Sequence, residues 1–173
     1  TAYHGQFENS GSTDLTHRVT SGDVMCETII GNVIIKHASF EQELTILSRV
    51  RRIVGDLVIL DNRFSHFAVA LTSLETIDQS LIIENNIHLE NLDGFKLPKL
   101  KTIGQSFILD GNSKLGISGI DGTEFLPNLS SIHRGLKVVN NNNLHSLSNM
   151  FLSLSKVDGN VLIRENRKLK SMS

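Results

Sequence analysis

The chain of 173 residues contains one cysteine, no tryptophan, one tyrosine and two prolines, and its formal charge is only −1. Each scarcity removes a class of protein. The single thiol, Cys26, excludes a disulfide within the chain. It is left buried and unpaired, bonded to a partner outside these residues, or cross-linking two chains. Interspersed charges of nearly equal number give no electrostatic reason to expect nucleic acid or an anionic membrane as partner. No apolar run approaches the roughly 20 residues of a membrane-spanning helix, so this segment is not expected to insert into a membrane. No secretory leader pattern opens the sequence, so if the protein is secreted these residues are a mature or excised piece. The seven histidines fit no H-E-x-x-H spacing, and neither G-x-S-x-G nor a P-loop occurs. No cofactor and no metal are expected.

What is present is a repeat. Ile29 to Ile35 has the form I-x-x-x-L-x-I, and the form returns at Ile53 to Ile59, Ile77 to Ile83, Ile103 to Leu109, Ile132 to Val138 and Val157 to Ile163, at intervals of 24, 24, 26, 29 and 25 residues. Asn62, Asn86, Asn112, Asn141 and Asn166 stand three residues after the last apolar position, and Leu89, Leu115, Leu144 and Leu169 three further on. Six copies at such a period predict a solenoid of six coils, in which each coil buries its apolar side chains only by stacking on its neighbours. With 39% hydrophobic residues, the chain is long enough for one domain with a substantial core.

The connecting segments agree. Leu74, Leu100, Leu129 and Leu154 each precede a first apolar position by three residues, and both prolines fall in the same place, in Leu97-Pro98-Lys99-Leu100 and Leu126-Pro127-Asn128-Leu129. Proline has no N–H and a fixed φ, so it belongs at a corner and not in a paired strand. The asparagine column suits a corner as well, because a stacked Asn side chain can bond backbone groups and tolerates left-handed geometry. A leucine-rich-repeat horseshoe and a parallel β-helix both fit a period in the twenties. The leucine lies three residues after the asparagine rather than two, and return segments such as "NNNNLHSLSN" are poor helix formers. The expected fold is therefore an all-β solenoid, a parallel β-helix. Gly116, Gly119 and Gly122 lack the dinucleotide-binding spacing and are expected in a longer loop between the fourth and fifth coils.

The run "CETIIGNVIIK", followed by copies of L-x-x-I-x-G-x-L-x-I-x-x-N and by F-x-L-P-x-L-x-x-I, resembles the L domain of the insulin and epidermal growth factor receptors and of related secreted and surface proteins of invertebrates. The resemblance covers about Cys26 to Met172. It implies a right-handed, single-stranded parallel β-helix, an extracellular location, no catalytic activity in the domain, and a sheet face that receives a peptide or protein ligand. It also places a disulfide cysteine near Cys26, where this chain offers no second cysteine. On this reading residues 23–173 form the β-helix and residues 1–22 an N-terminal tail or cap, to which Phe7, Leu15 and Val19 are the candidate contributors. Asn128-Leu129-Ser130 is an acceptor sequence for N-glycosylation in an expected corner.

Strand alternation locates the candidate binding face. In L-x-I the outer residues point into the coil and the middle one points out, which sends Ile34, Val58, Ile82, Ile108, Lys137 and Leu162 outward. The first four form an apolar stripe, unusual on a soluble monomer that lacks a partner. By the resemblance, Ile34, Val58, Ile82 and Ile108 supply the floor of a ligand site, and Lys36, Glu84 and Asp110 its polar rim. Two other uses of the stripe stay open, burial under "SFEQELTILSRV" of residues 39–50 and contact with a second copy in a homodimer. A leucine-rich-repeat scaffold or a structural cell-surface protein is the alternative to a receptor module. An enzyme would need converging acids, and the nearest candidates, Glu84 and Asp110, share a column with Leu60, Val139 and Arg164, so no cluster builds up.

Overall fold

The computed structural model describes residues 2–4, 7–9, 27–38, 47–66, 71–116 and 124–170. Among these there is no α-helix. The strands are β1 (Ala2–His4), β2 (Phe7–Asn9), β3 (Thr28–Ile30), β4 (Val33–Lys36), β5 (Arg52–Val54), β6 (Leu57–Leu60), β7 (Thr76–Ile77), β8 (Leu81–Glu84), β9 (Thr102–Ile103), β10 (Ser106–Asp110), β11 (Ser131–Ile132), β12 (Gly135–Val139), β13 (Lys156–Val157) and β14 (Val161–Arg164). They form two seven-stranded sheets, one of the odd-numbered strands in the order β1 to β13 and one of the even-numbered strands in the order β2 to β14. Every neighbouring pair is parallel. The fold is the expected parallel β-solenoid, with the six recurrences of the sequence as six strand pairs from β3 and β4 to β13 and β14.

Each I-x-x-x-L-x-I is two strands rather than one. The first isoleucine lies in the odd sheet and the L-x-I in the even sheet, with a corner of two or three residues between them. Two strands of the amino-terminal segment, β1 and β2, pair with β3 and β4 and extend both sheets. Leu15, Val19 and Cys26 lie outside the described residues, as do Gly119 and Gly122.

The core fills the space between the sheets. Ile53, Leu57, Ile77, Leu81, Ile83, Ile103, Phe107 and Leu109 are essentially inaccessible, and the entry leucines Leu74, Leu100 and Leu129 join them. Full burial of each such side chain contributes roughly 1.5–3 kcal/mol. Each entry leucine closes a turn, as Leu100 N–H donates to the Leu97 carbonyl at 3.2 Å and Leu129 N–H to Leu126 at 3.2 Å. Pro98 and Pro127 lie within those two turns. Phe125 fills the wider middle coils against Phe95 and Phe107, with ring centroids 5.5 and 6.4 Å away, and Phe151 meets Phe107 edge-on at 5.2 Å.

The asparagine column is a continuous hydrogen-bond ladder at the end of the even sheet. Asn62 N–H donates to Asn86 Oδ1 at 3.0 Å, Asn86 N–H to Asn112 Oδ1 at 3.0 Å, Asn112 N–H to Asn141 Oδ1 at 3.1 Å and Asn141 N–H to Asn166 Oδ1 at 2.9 Å. Each of these four Nδ2 atoms donates to the same oxygen as its backbone N–H. Each Nδ2 also reaches back to a carbonyl of the preceding coil, as Asn112 does to Ile83 at 2.9 Å. Asn86, Asn112 and Asn141 are wholly buried, and a buried amide is tolerated because its groups are bonded. The residue before each rung turns the chain by adopting positive φ: His37, Asp61, Asn85, Gly111, Asn140 and Glu165, between 53° and 68°. Only one of the six is glycine, so five coils carry the strain of a side chain in the left-handed region.

A second ladder, which the sequence pattern does not reveal, runs along the corner between the sheets. Asn32 Oδ1 accepts from Asp56 N–H at 2.8 Å, Asp56 Oδ1 from Ser80 N–H at 2.8 Å, and Ser80 Oγ from Ser106 N–H at 3.3 Å. The corner itself is tight, since a Cβ on Gly55 would overlap the Gly31 carbonyl and one on Gly104 the Asp78 carbonyl.

Replacing Asn112 by leucine strips the N–H and Nδ2 of Asn86 and the carbonyl of Ile83 of a shared partner. With each orphaned buried group costing about 1–3 kcal/mol, urea denaturation should show a loss of about 3 kcal/mol or more. Asn112→Ser should lose less, because its hydroxyl can serve as acceptor.

Candidate ligand-binding face

The outward surface of the even sheet consists of three columns. The central one is in unbroken register, Ile34 beside Val58, Val58 beside Ile82, Ile82 beside Ile108, Ile108 beside Lys137 and Lys137 beside Leu162. The inward residues of β4, β6 and β8 are buried and the outward ones half-buried, as alternation requires. Ile34, Val58, Ile82 and Ile108 therefore form one strip along four coils, each rib spaced by about 4.8 Å. On one side the strip is bordered by the small polar groups of the corner ladder, whose oxygens already accept backbone N–H groups. On the other runs the column Lys36, Leu60, Glu84, Asp110, Val139 and Arg164, of which Val139 is buried.

The rim residues named from the sequence fall in that second column, and their roles differ. Asp110 is tied down, with Lys137 Nζ at 2.6 Å and Asn140 Nδ2 donating to its Oδ1 at 3.0 Å. Lys137 thereby leans from the central column toward the preceding coil and ends the apolar strip with a fixed ion pair. Sequence columns do not show this diagonal contact, although a lysine directly after four apolar residues is its trace. Glu84 is the register neighbour of Asp110 and is half-buried. With the Asp110 carboxylate committed to Lys137 and Asn140, the two acids do not constitute the paired carboxylates that acid–base chemistry employs. Of the segment proposed to cover the strip, Leu47 and Val50 are packed in the core cluster and residues 39–46 lie outside the described residues.

The odd sheet is more polar, its outward apolar residues among those described being the register pair Ile30 and Val54 of the first two coils. Its outward column is Thr28, Arg52, Thr76, Thr102, Ser131 and Lys156. Arg52 grips Asp78 in a fork, Nε to Oδ1 at 3.0 Å and Nη2 to Oδ2 at 2.7 Å, and this bonding raises the guanidinium pKa. Glu75 sits between Lys101 Nζ at 3.1 Å and Arg51 Nε at 3.9 Å. Bonding to Lys101, then the charges of Lys101, Arg51 and Lys99, hold its carboxyl below the usual glutamate value. Ser131, His133 and Asp158 follow one another at 3.4 and 3.5 Å, but these contacts are long, and Lys156 holds the other Asp158 oxygen at 2.9 Å. This is a solvated charge network.

A family model described as Receptor L domain matches residues 25–121, more than half of the chain. The chain belongs to the receptor L domain family. That family is one of ligand-binding modules of receptors, extracellular in those receptors and not a catalytic family. Neither the curated proteins nor the solved structures yield a match. The matched residues contain the first four recurrences, and the solenoid continues beyond them, since β12 and β14 extend the same sheet in the same register. No helix of the described residues is long and apolar enough to cross a membrane. Among them no group of three His, Cys, Asp or Glu side chains is placed to hold a metal ion.

Because the pKa of Glu75 is lowered on folding, its contribution to stability is present above the ordinary glutamate pKa and lost as pH falls through the lowered one. In an NMR titration of side-chain carboxyls, Glu75 should titrate below the exposed glutamates, and Lys101→Ala should raise it toward them. An unchanged Glu75 in that variant would contradict the assignment.

Proposed function

We propose that the chain is a non-catalytic, extracellular binding module that captures a peptide or protein ligand on the outward face of the even sheet, as part of a receptor ectodomain or a secreted relative. The observation that carries this reading is the strip of Ile34, Val58, Ile82 and Ile108, aligned over four coils on one sheet, whereas among the described residues the other sheet presents only Ile30 and Val54 as an outward apolar pair, set among charges and hydroxyls. Affinity comes from removing the strip from water, and specificity from the polar edge at Lys36, Glu84 and Asp110, with Lys137 marking its end. Residues 23–173 act as the binding unit and residues 1–22 as its amino-terminal cap. Asn128, exposed on the turn leading into β11, carries an N-linked glycan on the odd-sheet side, clear of the strip.

The combined variant Ile82→Lys and Ile108→Lys tests the face. Half-exposed positions accept a lysine whose stem lies along the sheet and whose ammonium reaches water, so the melting temperature should stay close to that of the unmodified protein, within the roughly 0.5 kcal/mol typical of surface changes. Capture of a polypeptide from extracellular fluid by the unmodified chain should be lost in the variant. A large fall in melting temperature would show that the strip is covered by this chain or a tight dimer, and equal capture by both proteins would move the site elsewhere.

A further inference from the structure

Asn128-Leu129-Ser130 is the one N-x-S/T triplet of the sequence, and the entry turn that contains it hangs from the turn of the coil before. Asn128 Nδ2 donates to the Pro98 carbonyl at 2.6 Å, and one coil later Ser153 Oγ donates in the same way to the Pro127 carbonyl at 2.6 Å. The rest of the triplet is held as firmly. Leu129 is wholly buried, and its N–H closes the turn onto the Leu126 carbonyl. Ser130 Oγ donates to the Lys101 carbonyl at 3.0 Å, and Ser130 N–H reaches the same oxygen at 2.9 Å. The outer two residues are thus anchored on the fourth coil and the middle one in the core. Asn128 itself is exposed, and its Nδ2 makes no second bond among the described residues.

We propose that glycan transfer to Asn128 precedes the docking of this turn on the fourth coil, so that the folded chain is closed to the transfer although it accommodates the product. The inference rests on the reading of Asn128 as a glycosylation site of an extracellular module. In the transfer Nδ2 forms a bond to C1 of a lipid-linked sugar, the bond from C1 to the pyrophosphate oxygen breaks, and Nδ2 gives up one proton. An amide nitrogen is a poor nucleophile because its lone pair is delocalised into the carbonyl, so the transferase has to grip both the amide and the hydroxyl two residues on. In the folded turn each of these groups is bonded to a carbonyl of the preceding coil, and drawing the triplet out would pull Leu129 from the core. The product meets no such obstacle. The sugar replaces one hydrogen of Nδ2 on an exposed side chain, and the other hydrogen serves the Pro98 carbonyl. Pro98 and Lys101, whose carbonyls close the site, are synthesised before Asn128, so transfer and docking compete from the moment the triplet emerges. Occupancy of Asn128 then measures how slowly the fifth coil joins the fourth.

The test offers purified oligosaccharyltransferase and a lipid-linked oligosaccharide three acceptors: the folded, unglycosylated chain, a synthetic peptide of residues 124–135, and the folded Leu129→Ala variant. The peptide should be modified readily and the folded chain roughly a hundredfold more slowly, because a folded turn reacts only through its local openings. Leu129→Ala should gain roughly tenfold over the folded chain, since an emptied core position makes opening easier. Equal rates for peptide and folded chain would overturn the proposal, as would a folded Leu129→Ala variant no faster than its parent. A peptide that is not modified at all would instead remove the reading of Asn128 as an acceptor, and the proposal with it. Glycosylated chain recovered from secreting cells should melt close to the unglycosylated chain, and a melting temperature far below it would overturn the claim that the closed turn accommodates the product.

Discussion

A buried amide side chain with nowhere to go but the next coil sets the geometry of this molecule. An asparagine at the end of each even-sheet strand is acceptable in the core only when its oxygen and both amide hydrogens are bonded, and each rung finds such partners in the layers above and below. That requirement fixes the height of one coil over another and the phase of its strands. It also explains why the chain accepts a strained residue before each asparagine, since only a left-handed turn at that point swings the amide inward. Hydrophobic burial supplies the larger share of the stabilising free energy, but it is non-directional, and by itself it would permit coils to slip.

The apolar strip follows from the same constraint. Because the coils cannot shift, the residue between the two inward side chains of each even-sheet strand is always directly above its counterpart, and four separate aliphatic residues become one strip. The odd sheet has the same regularity and a different filling, with threonines, arginine and lysine. The scaffold treats the two sheets alike, so the difference between them reflects what each side meets. Receptor L domains are binding modules, and the face proposed for that role here is the one with the longer apolar strip.

Most of the fold was legible because a solenoid turns three-dimensional neighbours into a one-dimensional interval. The inward residues, the ladder asparagines, the entry leucines and the proline turns all announced themselves through fixed spacing and one residue type. The corner ladder escaped because Asn32, Asp56 and Ser80 do one job with three chemistries, sharing only a side-chain oxygen at the same height. The division of I-x-x-x-L-x-I between two sheets was hidden by a corner of two or three residues with no proline to mark it. At the candidate site, spacing reveals columns but no diagonals, so the Lys137–Asp110–Asn140 contact, which ends the strip, has no signature in the sequence pattern.

The unequal intervals between coils acquire a meaning from this arrangement. The spacing grows from 24 to 29 residues in the middle of the chain, yet the strands and the asparagine ladder stay in step across it, so the extra length lies in the connection between β10 and β11. Every interior coil gives the layer on one side what it receives from the other. A whole coil can therefore be duplicated or deleted in a gene without leaving a mismatched seam, whereas a fragment of a coil cannot. Modular growth by complete turns is thus open to this architecture.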